Sequence, residues 1–163
     1  MKLYVSGSDI FHSESKLSKL LPNGYSKYLR YLVEKYGIRE HIIFTGRLSA
    51  EKLAEKLTKM NVVVVPSSIE NAPNSLAEAE LVGTPVVASF VGGNMDMLEH
   101  GKDGFLYCYN EPNMLVEYIA RIFESDELAE EISKHARSIS NNRHNSEFLE
   151  SKLLEIYNSV ING

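Results

Sequence analysis

The sequence predicts an α/β fold: a parallel sheet with flanking helices, followed by helices alone at the carboxyl end. Two observations predict it. Short apolar, β-branched runs alternate with helical stretches through the first two-thirds of the chain, the signature of strand-helix repeats. From Glu111 onward only helical periodicity remains.

The strand candidates are Leu3-Tyr4-Val5, Ile42-Ile43-Phe44, Val62-Val63-Val64-Val65, Pro85-Val86-Val87-Ala88 and Gly104-Phe105-Leu106-Tyr107. Continuous apolar runs of this kind suit strands buried on both faces. Helices are expected over 25–36, 50–60, 74–82 and, briefly, 94–100. Residues 8–24 are the least regular, and read as a surface loop with some helix around 16–21. Leu115, Tyr118, Ile119, Ile122 and Phe123 recur at spacings of three and four, which makes one buried stripe. Two more helices are expected, over 126–139 and 146–161, separated by the polar run 140–145. The stripe Phe148, Leu149, Ile156, Tyr157 and Val160 on the last helix reads mainly as core packing, with part of it exposed.

A chain of 163 residues fits one domain, 1–163, with 111–163 as an all-helical tail. Its net charge of -5 offers no electrostatic footprint for nucleic acid or anionic lipid. The single cysteine, Cys108, excludes an internal disulfide and a multi-cysteine metal site, and fits a reducing, cytoplasmic setting. No apolar run approaches the ~20 residues that span a bilayer, and no signal peptide opens the chain.

The chemistry concentrates in Pro66-Ser67-Ser68-Ile69-Glu70-Asn71-Ala72-Pro73-Asn74-Ser75-Leu76-Ala77-Glu78-Ala79-Glu80, which links the most apolar strand to the next. In an open parallel sheet, ligands bind beyond the carboxyl ends of the strands, where this loop falls. Pro73 suits a first helical turn and Asn71 a cap before it. The free N–H groups of Asn74, Ser75 and Leu76 would then aim the positive end of the helix dipole at a diphosphate. Glu70 and Glu78 bracket this turn, and carboxylates accept hydrogen bonds from vicinal hydroxyls of a ribose or a hexose. Spacing alone is silent, because Glu147 and Glu155 repeat the same separation and the chain has 18 glutamates.

The run 62–104, with Pro66-Ser67, Glu70, Glu78-Ala79, Gly83-Thr84-Pro85-Val86-Val87-Ala88-Ser89, Gly92-Gly93 and Gly101 to Gly104, resembles the donor half of family 4 retaining glycosyltransferases. The similarity extends weakly through Phe44-Thr45-Gly46 and Leu154-Glu155-Ile156-Tyr157. It implies a Rossmann-like domain of the GT-B fold and transfer from a nucleotide diphosphate sugar, without a metal or other cofactor. Under it Glu78 matches the ribose ligand and Glu70, the candidate catalytic carboxylate, the contact to the transferred sugar. Asn74 and Ser75 would lend N–H groups to the diphosphate, and Leu48 would lie at the nucleobase. The 69–76 variant looks like a branch that builds bacterial surface polysaccharides.

Departures accompany the match. Pro73 removes one backbone donor, and Asp96 stands where a glutamate is frequent. The resemblance also implies an earlier strand and helix, bearing an Arg and a Lys for the diphosphate, that this sheet lacks. Arg47 and Lys52 are substitutes for that pair or plain surface charges. The acceptor domain is expected outside these residues, so the isolated chain should be nearly inactive. It would be cytoplasmic, or peripheral to the inner membrane through that domain. The glycine pair suits either a close approach to the donor sugar or a tight turn. No Gly-x-Gly-x-x-Gly, P-loop or Asp-x-Asp is present, and the histidines at 12, 41, 100, 135 and 144 share no ligand spacing. A non-catalytic nucleotide-binding or assembly module, or an epimerase or phosphorylase fragment of the same architecture, is the alternative reading.

Overall fold

The structure, a computed structural model, describes residues 1–7, 9–11 and 24–162. The helix expected around 16–21, and most of the loop expected over 8–24, lie outside them. The chain divides into two compact units, Met1–Leu53 and Ala54–Gly163, each described by itself.

The first unit holds β1 (Leu3–Ser6), α1 (Gly24–Lys35), a single 3-10 turn (Arg39–His41), β2 (Ile42–Gly46) and the start of α2 (Ala50–Leu57), which the boundary cuts. β1 and β2 run parallel with Leu3 opposite Ile42 and Val5 opposite Phe44. A parallel pair needs a long crossover, and α1 lies within it. Burial on both faces, expected from the apolar run, does not hold for β1: Leu3 is 52% and Tyr4 37% exposed. With one strand partner among the described residues, β1 is an edge strand, and apolar composition cannot tell an edge from a centre.

The second unit holds β3 (Val63–Val65), α3 (Asn74–Val82), β4 (Val86–Ser89), α4 (Asn94–Met97), β5 (Phe105–Tyr107), α5 (Pro112–Glu124), α6 (Asp126–Arg143) and α7 (Ser146–Asn162). Its three strands lie in the order β3-β4-β5, all parallel, so the described strands form two sheets, β1-β2 and β3-β4-β5. β4 is central, and its Val86, Val87, Ala88 and Ser89 are fully buried. The core gathers Val87, Phe105, Tyr107, Ile122 and Ile132, with Leu115, Tyr118 and Ile119 packed around them. The expected α5 stripe therefore faces inward except at Phe123, which is half exposed.

Two helices depart from expectation. α6 continues through most of the polar run 140–145, because Ser140 is buried and Arg143 is anchored: its guanidinium donates to Glu80 Oε2 at 2.8 Å and to the Met97 carbonyl at 2.7 Å. α7 forms as expected, but none of its residues is buried. Phe148, Leu149, Ile156, Tyr157 and Val160, expected mainly in the core and only in part exposed, are all exposed. Helical periodicity reveals an apolar stripe but not what covers it.

Candidate donor-binding site

β3 ends at Val65, and the chain crosses the carboxyl end of the sheet as residues 66–73 before α3 begins at Asn74. Pro73 is not inside the first turn as expected. It stands one residue earlier, in extended conformation (φ -73°, ψ 119°), and no side chain caps the helix. Asn71, the expected cap, is exposed and makes no capping bond. Proline fits this junction, since its ring fixes φ near the observed value and its missing N–H costs nothing there.

Of the three expected free donors, Leu76 is not one. Its N–H donates to the Pro73 carbonyl at 3.1 Å, and its side chain is fully buried. Asn74 and Ser75 are exposed, and as the first two residues of α3 their N–H groups have no helical partner. Glu78, one helical turn beyond them, is exposed on the same side, whereas Leu76, Ala77, Ala79 and Glu80 turn inward. The amino end of α3 thus presents two N–H groups and a carboxylate to solvent, at the positive end of the helix dipole.

The opposite end of α3 is closed. Gly83 takes a left-handed conformation (φ 86°) and donates to the Ala79 and Glu80 carbonyls, both at 2.9 Å. Ser133 Oγ donates to the Gly83 carbonyl and Arg137 to that of Val82, so a cation sits at the negative end of the dipole.

Glu70 is half-buried and held at both ends. Ser67 Oγ donates to its Oε1 at 2.6 Å, and the Gly93 N–H donates to its carbonyl at 3.3 Å. Ser67 is itself seated, because buried Ser89 Oγ donates to its carbonyl at 2.6 Å. Asn94, fully buried, donates from Nδ2 to the Ser89 carbonyl at 2.9 Å, while its Oδ1 finds no partner. Protein backbone lies directly over the glycine pair. A Cβ on Gly92 would lie 1.8 Å from the Glu70 carbonyl oxygen, and one on Gly93 1.5 Å from that of Asn71. The pair serves the close approach of two protein loops, the β4–α4 turn lying directly against residues 70–72.

Sequence reasoning named Ser67, Ser89 and Gly92-Gly93 within its motifs, gave no individual role to Ser67 or Ser89, and did not single out Asn94. It also missed a buried polar centre behind the site. Glu80 is fully buried beside Arg143, and burial pushes its carboxyl up to about 7 against the opposing pull of Arg143. Buried Asp103 is raised in the same direction by burial, although it accepts a hydrogen bond from the Glu99 N–H at 2.7 Å. The only early signal was the sequence Glu78-Ala79-Glu80 itself, whose alternate positions cannot share a helix face.

The remaining predicted residues, Leu48, Arg47 and Lys52, belong to the first unit. Leu48 is half-buried, Arg47 and Lys52 are exposed, and Ser49 Oγ accepts from the Lys52 N–H at 3.5 Å at the start of α2. His100 has a structural place: Nδ1 accepts from the Leu106 N–H at 3.0 Å and the ring packs edge-on against Phe105 and Tyr118. Among the described residues, no three His, Cys, Asp or Glu side chains cluster as a metal site, and no helix is long and apolar enough to cross a membrane. A recess of about 270 Å³ lined by Met60, Asn61, Pro85, Phe123 and Glu130 lies before β3 and β4, at the wrong end of the strands for this site.

Comparison with known proteins bears on this geometry. Residues 8–139 match the family described as "Glycosyl transferases group 1". The chain is similar to a putative glycosyltransferase YtcC of Bacillus subtilis, at 34% identity over 83% of this chain and 32% of that protein. A Vi polysaccharide biosynthesis protein of Salmonella typhi is 38% identical over 45% of this chain and 12% of its own length. The fold superimposes on Anabaena HepE, crystallised in complex with UDP-glucose, with a TM-score of 0.80 at 23% identity, covering 97% of this chain and 41% of that one. The chain spans about a third or less of the curated relatives it matches. Since the family match covers residues 8–139, well over half of the chain, the chain belongs to the group 1 glycosyl transferases.

Proposed function

We propose that this chain binds a nucleotide diphosphate sugar and acts as the donor half of a glycosyl transfer with retained anomeric configuration. The observation that carries this reading is the uncapped amino end of α3, where Asn74 and Ser75 present free N–H groups between Glu70 and Glu78. Such a helix terminus suits a diphosphate, and the charge that develops on that leaving group is where stabilisation accelerates transfer. Glu78 accepts hydrogen bonds from the ribose hydroxyls, and Glu70 from the transferred sugar. No metal is assigned. HepE, similar in fold, is known bound to UDP-glucose, which supports the ligand class.

The relatives' greater length supports an acceptor domain outside these residues, with the 163-residue chain nearly inactive by itself. The Vi polysaccharide relative and the 69–76 variant support a role in bacterial surface polysaccharide synthesis.

Calorimetric titration with uridine, guanosine and adenosine diphosphates tests the site. Glu78→Ala should weaken the preferred diphosphate about tenfold, the order expected for hydrogen bonds to a charged acceptor. Equal binding by the variant removes the ribose assignment.

A further inference from the structure

We propose that Ser67 is a positioning residue for the donor sugar: its hydroxyl occupies one carboxylate oxygen of Glu70, so that the other is the one presented to a sugar hydroxyl. This rests on the reading of Glu70 as the sugar contact.

A glutamate on a loop has several rotamers and two equivalent oxygens, and its affinity for a hydroxyl depends on how many of those states are already excluded. Here they are excluded by a continuous set of bonds rooted in the sheet. Asn94, fully buried, donates to the Ser89 carbonyl at 2.9 Å. Ser89, the last residue of the central strand and also fully buried, donates from Oγ to the Ser67 carbonyl at 2.6 Å. The Ser67 hydroxyl then donates to Glu70 Oε1 at 2.6 Å. The Glu70 carbonyl is tied separately to the Gly93 N–H. Both the backbone and the carboxylate of Glu70 are therefore referenced to β4 and its following turn, and among the described residues Oε2 has no hydrogen-bond partner. A site arranged in this way recognises the sugar through one oriented acceptor, while the diphosphate is held by α3 without help from Ser67.

That division sets the test. Titrate the chain with UDP-glucose, GDP-mannose, ADP-glucose and dTDP-glucose, and with the matching nucleoside diphosphates. The affinity gained by adding the sugar is the quantity to follow. In Ser67→Ala this gain should fall about fivefold, the size of one lost oriented hydrogen bond, while the diphosphate alone binds within about twofold of the parent. Ser67→Thr, which keeps a hydroxyl, should retain the gain, and Ser67→Val, its match in shape, should lose it. The Thr and Val pair gives the same reading should the alanine variant fail to fold.

Glu70→Ala separates the two levels. A gain lost in Glu70→Ala but intact in Ser67→Ala and Ser67→Val overturns the role of Ser67 and leaves the donor-site reading standing. Equal weakening of the diphosphate and the sugar nucleotide by Ser67→Val also overturns it, since Ser67 would then only shape the loop. A gain unaffected by Glu70→Ala, or a parent chain that binds none of the probes, overturns the donor-site reading and this inference with it.

Discussion

Glu78 and Glu80 are two residues apart on α3, yet one faces solvent and the other is fully buried against Arg143. The buried carboxyl is raised to about 7 from an ordinary 4.5, chiefly by burial. Between those two values the folded chain holds a proton that the unfolded chain has released, so stability falls as pH rises. Glu80 therefore stabilises fully below about 4.5, and its contribution is lost as pH rises through about 7. The whole effect is on the order of 3 kcal/mol at most. Urea unfolding of the parent and of Glu80→Gln at pH 5 and pH 8 should show the parent losing stability relative to the variant at the higher pH. A difference that does not change with pH would rule this out. Asp103 shifts the same way and its charge helps raise Glu80, so the comparison is repeated with Asp103→Asn in both proteins. At this scale the resemblance made Glu70, Glu78, Asn74 and Ser75 legible as candidates. Glu80 was not legible, because its importance comes from Arg143, which is 63 residues away along the chain.

At the scale of elements, most boundaries followed from pattern. The segment expected as helix over 74–82 is α3, and the runs around residues 63–65, 86–89 and 105–107 are strands. What periodicity could not show was contact between loops. The residues 92–93 turn and the residues 70–72 loop touch backbone to backbone, a fact that depends on two glycines and on no hydrophobic pattern. Gly93 has an ordinary helical conformation (φ -64°, ψ -12°), so Gly93→Ala introduces no backbone strain, only a methyl group where the Asn71 carbonyl stands. The loop carrying Glu70 must move away. The expected cost is about 1–3 kcal/mol, as for other overpacked sites. It should be read as a lower urea midpoint together with weaker sugar-nucleotide binding. A variant of parental stability and affinity would show that the loop yields freely. α7 teaches the complementary point, since its stripe was legible and the full extent of its exposure was not.

For the molecule as a whole, composition and alternation were enough for the α/β class, but they treated all strands as equivalents. The two units differ in how much they bury. In Ala54–Gly163, the central strand β4 is fully covered, and Phe105, Ile122, Ile132 and Leu76 are 3% exposed or less. In Met1–Leu53, Val33 is the one buried apolar residue among those described, and β1 and β2 each expose a large side chain, Leu3 and Ile43. Local opening costs less where little apolar surface is covered and strand hydrogen bonds lie near solvent. Hydrogen exchange on the intact chain should therefore separate into two classes. Amides of β4, β5 and the inner face of α6 should be protected close to the global stability. Those of β1 and β2 should exchange at least about a hundredfold faster, which corresponds to openings about 3 kcal/mol easier. If β2 were as protected as β4, the sparse packing of the first unit would be no guide to its stability. The chain would then unfold as one cooperative whole.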